Sequence, residues 1–455
     1  MGMASHVATK SSTAVPPPPV DHVADLVDRH FGSTDGELLV GGLPIRDIVQ
    51  RYGSPLFVYD LQTVRRQWQA LRDALPSQFA ICYSVKANPN QSLLRFFVEQ
   101  GSGLEIASSG ELCQALAAGC PADKILFAGP GKTEAELATA LDRGIGEIHV
   151  ESLTEARRIA RLAEQRQRRA QIALRVNPAA AVEGGGMRMG AKPVPFGVDE
   201  DQLDAMVEIL LREPWLEVVG LHLFIGTQIL DYQVLLSQYR SGLEIARRLA
   251  SLIRRPLKTI DFGGGLGVPY FTHETRLNLA ALKRGLAELM QEVAHDAQLS
   301  QTQFVVEPGR FLVAEAGIYV AQVNDVKISR GKKFVITDGG MHHHLAASGN
   351  LGQTIKRNFP VAVLNKLNQP PTEAVDIVGP LCTPLDVLAR GISLPPIEIG
   401  DLIGVFQSGA YGRSASPLGF LSRCAPPEIL VDRGAAREVR RRGADEDFLA
   451  DQTGE

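Results

Sequence analysis

The sequence predicts an α/β fold, a (β/α)8 barrel of the TIM type followed by a domain of β-strands. Three observations predict it: a strand–helix alternation that counts to eight, polar residues at the ends of those strands, and a change of pattern after Arg310. An open, doubly wound sheet would show the same alternation. The polar strand ends favour the barrel, because a barrel brings them to one mouth whereas an open sheet spreads them along an edge.

The predicted barrel rests on eight short runs with the composition of buried strands. Amphipathic stretches separate them, and two of these, residues 133–143 and 153–164, place apolar side chains at helical spacing. Gly101, Gly119 and Gly144 stand where such helices should end. The predicted strands are residues 80–85, 104–107, 125–128, 147–150, 172–176, 218–224, 259–262 and 303–306.

The chain on either side of the barrel predicts four further units. Beyond it, runs broken by Gly, Pro and Asp predict strands at residues 318–328, 333–337, 373–378, 402–406 and 428–431. The segment before the barrel is too short to fold alone, so we expect it to pack on the β domain. Proline-rich and charged ends predict disorder. The expected division is a disordered tail (1–21), an N-terminal segment (22–56), the barrel (57–310), the β domain (311–433) and a flexible tail (434–455).

Composition narrows the class of protein. The 455 residues are 45% hydrophobic with a formal net charge of −4, which argues against nucleic acid or a membrane surface as the main partner. No apolar run approaches the roughly 18 residues that span a bilayer. Five cysteines without a CxxC pair argue against a disulfide framework and fit a reducing cytoplasm. Zinc-type spacing is also missing, so we expect no metal site.

Lys86 follows the first barrel strand, in the sequence YSVKAN (residues 83–88). A lysine at this strand end should point into the barrel mouth. Burial there would lower its pKa and make it a usable amine for imine formation. Taken alone, a solvated loop lysine remains the alternative.

Two further strand ends carry groups suited to a phosphorylated pyridine. Gly263, Gly264 and Gly265 follow the seventh strand, where bare backbone N–H groups can cradle a phosphate. Glu307 ends the eighth strand, where its carboxylate could hold a pyridine nitrogen protonated, and Arg310 could pair with phosphate. A plain glycine turn and a surface Pro-Gly turn are the alternatives.

The β domain adds a cysteine, a tyrosine and three consecutive histidines. Cys382 follows a strand in GPLC, and Tyr411 lies in the glycine turn SGAYG. An inert buried thiol and an ordinary turn are the alternatives. His342, His343 and His344 diverge on any regular backbone, so they predict structural or supporting roles and no shared metal.

In this order, the motifs resemble the fold-type III pyridoxal-phosphate (PLP) decarboxylases, the group of diaminopimelate, ornithine and arginine decarboxylases. The resemblance spans about residues 50–432 through YSVKAN, GLEIASSGEL, LRVNP, GGGLG, EPGR, GPLC and SGAYG. It implies a β-sandwich or β-barrel second domain of the alanine-racemase type. It also implies PLP as cofactor and a homodimer with shared active sites.

The resemblance implies a role for each matching residue. Lys86 would carry PLP as a Schiff base, Glu307 would face the pyridine nitrogen, and Cys382 would reach the site of a second subunit. The reaction would be amino-acid decarboxylation through an external aldimine and a quinonoid, with Cys382 or Lys86 returning a proton to Cα. The remaining cofactor-binding residues implied are Glu105, Arg175, Thr227, Gly263, Gly264, Gly265, Gly309, Arg310 and Tyr411.

Three departures from the family pattern concern the substrate. Phe224 stands where family members carry a histidine that stacks on the ring, with His222 two residues earlier. Thr383 replaces an acidic residue that holds a distal ammonium, and the nearest acid is Asp386. The run that contains His342 replaces a stretch with an arginine for a distal carboxylate. His222, His342, Thr383 and Asp386 are therefore candidate substrate contacts.

These departures, with GPGK (residues 129–132) and MRMG (residues 187–190), most resemble a side branch of the family. That branch contains the glutamyl–carrier-protein decarboxylase of butirosin biosynthesis and exosortase-associated decarboxylases. We therefore expect a substrate whose distal end is not that of a free diamino acid, such as an aminoacyl group on an acyl carrier protein, with a small-molecule amino acid as the other possible partner. Diaminopimelate decarboxylation to L-lysine, an amino-acid racemase and a non-catalytic PLP-binding regulator are the alternatives.

Overall fold

The computed structural model of the protein describes residues 21–179, 187–188 (backbone only), 193–223, 226–351, 353 and 356–454. Residues 1–20 of the expected disordered tail lie outside this range, and Asp21 caps the first helix through Val23 N and Ala24 N. Among the described helices, none combines the length and apolar character needed to cross a membrane.

The N-terminal segment folds onto the β domain. It consists of α1 (His22–His30), β1 (Gly32–Thr34), β2 (Glu37–Val40), β3 (Leu43–Pro44) and α2 (Ile45–Tyr52). Leu26, Leu38 and Ile45 are fully buried and share an apolar cluster with Ile318 and Phe406 of the β domain. The segment thereby gains the apolar contacts that it is too short to provide for itself.

The eight predicted barrel strands are all present and parallel. They close in the order β5-β6-β7-β8-β9-β12-β14-β15, and β15 pairs with β5. This confirms the (β/α)8 barrel over the open sheet. The strands are β5 (Phe79–Ser84), β6 (Gly103–Ile106), β7 (Ile125–Phe127), β8 (Glu147–Val150), β9 (Ala170–Asn177), β12 (Leu216–Leu223), β14 (Thr259–Asp261) and β15 (Gln303–Val306).

Helices surround this barrel and end where the glycines predict. Thr133 and Glu136 form a capping box at the start of α6, and Gly144, at φ 65°, ends it. The helices are α3 (Leu61–Ala74), α4 (Gln91–Glu99), α5 (Ser109–Ala117), α6 (Glu134–Arg143), α7 (Leu153–Gln165), α8 (Leu203–Leu210), α9 (Tyr232–Ile253), α10 (Leu279–Ala294) and α11 (Arg310–Val313). Three short strands lie in the loops: β10 (Met187–Arg188), β11 (Val198–Asp199) and β13 (Gly226–Thr227).

The second domain is a mixed sheet in the order β20-β19-β17-β16-β4-β22-β23, with β21 joining β16 to β18. The long β16 bends the sheet, because its first half pairs with β4 and β21 and its second half with β17. The strands are β4 (Leu56–Asp60), β16 (Gly317–Ser329), β17 (Lys332–Thr337), β18 (Val361–Val363), β19 (Glu373–Val378), β20 (Val387–Leu394), β21 (Leu402–Val405), β22 (Glu428–Asp432) and β23 (Ala435–Arg440).

Two boundaries differ from the sequence expectation. Residues 57–60, expected to open the barrel, belong to β4 in the second sheet, between β16 and β22. Residues 435–440, expected in a flexible tail, form β23 paired to β22. The tail was misjudged because β23 is held by polar contacts, such as the hydrogen bond from the Tyr52 hydroxyl to the Ala436 carbonyl, which apolar composition does not reveal.

Candidate active site

Lys86 and Glu105 form an ion pair at the C-terminal end of the barrel. Lys86 lies in the one-turn helix Val85–Ala87 after β5, and Glu105 lies on the neighbouring β6. The Lys86 Nζ is 3.0 and 2.9 Å from the two carboxylate oxygens of Glu105. Ser84 Oγ donates to Glu105 Oε2 at 2.5 Å. The carboxylate is buried while the lysine side chain is 46% exposed, so the amine faces the open barrel mouth.

The pKa of the Lys86 amine differs from the sequence expectation. Burial lowers the pKa of Lys86, but the carboxylates of Glu105 and Glu307 outweigh burial and raise this pKa above its usual value. The expectation of a lowered pKa was therefore wrong. It considered desolvation alone, because two carboxylates from other strands are not visible from the local sequence.

The main chain around Lys86 is held from two sides. Tyr411 of the β domain, at φ 53°, donates its N–H to the Ala87 carbonyl at 2.8 Å. The Asn88 side-chain amide donates to the Gly409 carbonyl at 2.9 Å. Opposite, a Cβ on Gly309 would lie 2.8 Å from the Ala87 Cβ, so only glycine allows this approach. Lys86, Gly309 and Tyr411 therefore meet at one place.

The glycine run after β14 forms a bend of accessible backbone. Gly263 and Gly265 have φ values of 66° and 99°, the left-handed region that favours glycine. A Cβ on Gly265 would lie 2.9 Å from the Gly226 carbonyl, next to Thr227. Gly264 lies between the two. The run follows β14, and the Gly263 N–H donates to Asp261 Oδ1 at 2.8 Å, so the contact of this run with a phosphate stays a prediction.

A cation and two phenols stand beside this bend. The Arg310 guanidinium lies 4.7 Å from the centre of the Tyr411 ring and donates to the Tyr270 hydroxyl at 2.9 Å. Tyr270 was not predicted. Its position, five residues after the end of the glycine run at Gly265, is a signal that could have indicated it. Arg310 therefore packs against both phenol rings, and its pairing with a phosphate stays a prediction.

Glu307 lies in a buried group of titratable side chains. His222 Nε2 is 3.7 Å from Glu307 Oε2, and His149 Nδ1 is 4.0 Å from Glu307 Oε1. With Asp261, each of these residues offers an atom within 4.8 Å of the others. Among the described residues, Glu307 Oε1 has no hydrogen-bond partner. Sequence reasoning missed His149 and Asp261, although both lie on predicted barrel strands.

Arg175 lies beside this group and organises a neighbouring loop. Its guanidinium is 2.7 Å from Glu151 Oε1 and 5.0 Å from the centre of the Phe196 ring. Glu151 also accepts the main-chain N–H of Gly129, the first residue of GPGK. Lys132, the last residue of that motif, is buried and lies 2.7 Å from Glu155. The motif is therefore held by one ion pair, Lys132–Glu155, and by the hydrogen bond from Gly129 to Glu151.

The assembled groups fit a phosphorylated pyridine aldehyde. An amine (Lys86), a buried carboxylate oxygen without a hydrogen-bond partner among the described residues (Glu307), a glycine bend and a cation (Arg310) all follow strands of the one barrel. They suit, in turn, an aldehyde, a ring nitrogen and a phosphate. The residue set therefore has the chemistry that PLP requires.

Comparison with known families decides the assignment. Residues 61–314 match the family described as pyridoxal-dependent decarboxylase, pyridoxal binding domain.

The chain belongs to the pyridoxal-dependent decarboxylases.

Relatives and solved structures extend this match over both domains. The chain is 37% identical to the L-glutamyl-[BtrI acyl-carrier protein] decarboxylase of Niallia circulans, covering 90% of this chain and 96% of the relative. It is 33% identical to the diaminopimelate decarboxylase of Aquifex aeolicus, covering 90% and 94%. The structure of Helicobacter pylori diaminopimelate decarboxylase with L-lysine superposes with a TM-score of 0.79 at 30% identity, covering 89% and 98%. The protein is thus a PLP-dependent carboxy-lyase, and PLP is its cofactor.

The candidate substrate residues of this pyridoxal-dependent decarboxylase have unequal surroundings. Cys382 is exposed and Thr383 partly exposed after β19. Asp386 is buried, and its two carboxylate oxygens accept the N–H groups of Met341 at 2.7 Å and Leu381 at 2.9 Å. Asp386 therefore joins two loops, and its contact with a substrate stays a prediction. Phe224 lies outside the described residues.

The three consecutive histidines, His342, His343 and His344, are all buried. His343 Nδ1 lies 3.1 Å from the Tyr319 hydroxyl, and His344 Nε2 lies 2.8 Å from Ser408 Oγ. Neither ring nitrogen of His342 has a hydrogen-bond partner among the described residues. Burial, and then Arg423, lower the pKa of His342 to about 4, so its ring is neutral at neutral pH.

Proposed function

We propose that the chain decarboxylates an α-amino-acid unit carried on an acyl carrier protein, using PLP held by Lys86. The observation that carries the choice of substrate is the bonding of Asp386. Its side chain is buried, and each of its oxygens accepts a main-chain N–H from a loop, which favours bonding within the chain over bonding to a distal ammonium. Thr383 is neutral. The relative whose name specifies a carrier-bound glutamyl substrate spans nearly the whole chain.

The point of attachment follows from the chemistry. The α-carboxylate must be free to leave as carbon dioxide, and the α-amine must be free to react at Lys86. The carrier must therefore be joined through the far end of the side chain. That end then carries no free charge, which agrees with the neutral Thr383 and the bonded Asp386.

The barrel residues take complementary roles toward the cofactor. Bound PLP supplies an electron sink for the pair left at Cα when carbon dioxide departs. Glu307 holds the ring-nitrogen proton and thereby strengthens that sink. Arg310, Tyr411 and the glycine bend bind the phosphate. Glu105 pairs with the Lys86 ammonium before Lys86 loses a proton and bonds to the cofactor aldehyde.

Protons at the reacting carbon come from Lys86 or from Cys382. Lys86 is in the mouth of its own barrel, while Cys382 is exposed on the second domain. We place Cys382 in the site of a second copy, where its thiol donates a proton to Cα. The functional unit is then a homodimer with shared sites.

A side-by-side assay tests the substrate. Carbon dioxide release should be fastest from an acyl carrier protein bearing a glutamyl unit through its γ-carboxyl group, and at least about tenfold slower from free diaminopimelate, lysine and ornithine. The same carrier protein without the glutamyl unit is the control. Rapid release from free diaminopimelate alone would contradict the proposal.

Free diaminopimelate is the second candidate, because relatives of that name also span nearly the whole chain. A Thr383→Glu variant separates the two candidates. If the neutral residue excludes diamino acids, the added carboxylate should raise activity toward free diamino acids and lower it toward the carrier-bound unit. Equal loss on both substrates would contradict the role given to Thr383.

A further inference from the structure

His149 lies inside the barrel between two buried carboxylates. It is on β8, where side-chain alternation turns residues 147, 149 and 151 to the barrel interior. Its Nε2 is 3.2 Å from Glu147 Oε1, and its Nδ1 is 4.0 Å from Glu307 Oε1. The imidazole therefore connects a carboxylate deep in the barrel with the one at the cofactor mouth.

The ring is fixed from several directions. Below it, Thr259 Oγ1 donates to Glu147 Oε2 at 2.5 Å, and a Cβ at Gly220 would come within 2.1 Å of that hydroxyl. Beside it, the His222 ring lies 4.2 Å away between centroids, tilted by 31°. Lys132 Nζ donates to the His149 carbonyl at 2.6 Å. His149 has little freedom to turn away from Glu307.

The surrounding groups limit where charge can reside. Burial and the neighbouring Glu307 raise the pKa of Asp261 well above its usual value, which favours its protonated form. Burial and the neighbouring His149 lower the pKa of His222 well below its usual value, so that ring is neutral at neutral pH. The His149 imidazole lies among Glu147, Glu307 and Asp261, whose Oδ2 is 3.8 Å from its Nε2.

We propose that His149 is a positioning residue that orients the Glu307 carboxylate toward the cofactor ring nitrogen. With its Nε2 at Glu147 Oε1, the ring presents its Nδ1 toward Glu307 Oε1, the oxygen without a hydrogen-bond partner among the described residues. The carboxylate is then directed at a protonated ring nitrogen. This inference rests on the role proposed for Glu307.

The test combines a change in the ligand, at the ring nitrogen of PLP, with a change in the protein, at His149. Apo protein is titrated with PLP and with 1-deaza-PLP, in which C–H replaces the ring nitrogen, and both dissociation constants are measured. His149→Leu should weaken PLP binding about tenfold and change 1-deaza-PLP binding less than about twofold, because only PLP uses Glu307. Binding of 1-deaza-PLP at the wild-type affinity also shows that the variant is folded.

Two further variants serve as a control and as a conservative replacement. His30→Leu removes another buried histidine beside a carboxylate, 3.3 Å from Glu315 and outside the barrel mouth, and should leave both affinities unchanged. His149→Asn keeps an amide donor and should weaken PLP binding less than His149→Leu does. If His149→Leu fails to fold, the selective loss of PLP affinity in His149→Asn decides.

Other outcomes overturn the inference. Equal weakening of both ligands would make His149 a structural residue only, and unchanged PLP affinity would exclude it from any role at Glu307. A wild-type protein that binds the two ligands equally would refute the role of Glu307 itself, and the inference with it. Decarboxylation by Lys86-bound PLP would stand in the first two cases.

Discussion

Tyr411 donates its main-chain N–H to the carbonyl of Ala87, 2.8 Å away, and so links the β domain to the residue after Lys86. Asn88 makes a second link, to the Gly409 carbonyl. The lysine at the end of a barrel strand is thus positioned by a turn of the other domain. The two domains therefore build one site, and changes in the β domain should be measurable at Lys86.

Replacing Glu105 should change the pH at which the apo protein captures PLP. Capture needs the neutral Lys86 amine, whose pKa the two nearby carboxylates raise. In Glu105→Gln this pKa falls, so the rise of capture rate with pH should move to lower pH, by about one unit or more. Stopped-flow absorbance over a pH series measures it.

Glu134→Gln is the control for this prediction, because it removes a carboxylate from an exposed pair with Arg161. Its capture profile should match that of the wild type. The rate at a single pH is not the criterion, since Glu105 also lies at the cofactor site. A Glu105→Gln profile that coincides with the wild-type profile would contradict the electrostatic account of Lys86.

The C-terminal strand β23 should contribute to stability. Buried Glu428 accepts from the Tyr59 hydroxyl at 2.7 Å, from Asn90 at 3.0 Å and from Arg440 Nε. Arg440→Ala leaves that carboxylate with less compensation and should lower the free energy of unfolding by about 1–2 kcal/mol. Arg437→Ala, exposed on the same strand, should change it by less than about 0.5 kcal/mol. The free energy of unfolding is measured with urea. Equal losses in Arg440→Ala and Arg437→Ala would contradict a stabilising role for β23.

The homodimer with shared active sites that we propose predicts complementation between inactive variants. Lys86→Ala and Cys382→Ala should each be nearly inactive alone. After mixing and subunit exchange, half of the dimers carry one intact site out of two, so activity should recover to about a quarter of the wild-type value. Carbon dioxide release before and after mixing measures this. No recovery, with exchange shown by mass spectrometry, would place Cys382 outside the partner's site.

The sequence predicted the barrel and most of its mouth for one physical reason. Parallel strands end on one face, so Lys86, Glu105 and Glu307 could be assigned to one mouth from strand order alone. The role of His149 could not be predicted in this way, because it depends on contacts with Glu147 and Glu307 that only the three-dimensional structure shows.

The expectations that failed depend on contacts between residues that are far apart in the sequence. The pKa of Lys86 depends on carboxylates from other strands. The charged composition of β23 concealed its pairing with β22. In each case the deciding contact is distant in sequence.

Lys86 is proposed to bond to PLP, and decarboxylation is proposed to depend on this bond. Borohydride reduction of the PLP-loaded protein, followed by peptide mass analysis, tests it most directly, with Lys86→Ala assayed for carbon dioxide release in parallel. We predict that the pyridoxyl mass is attached to Lys86 and that Lys86→Ala releases carbon dioxide at less than about a thousandth of the wild-type rate. Attachment to another lysine, or substantial turnover by Lys86→Ala, would contradict the account.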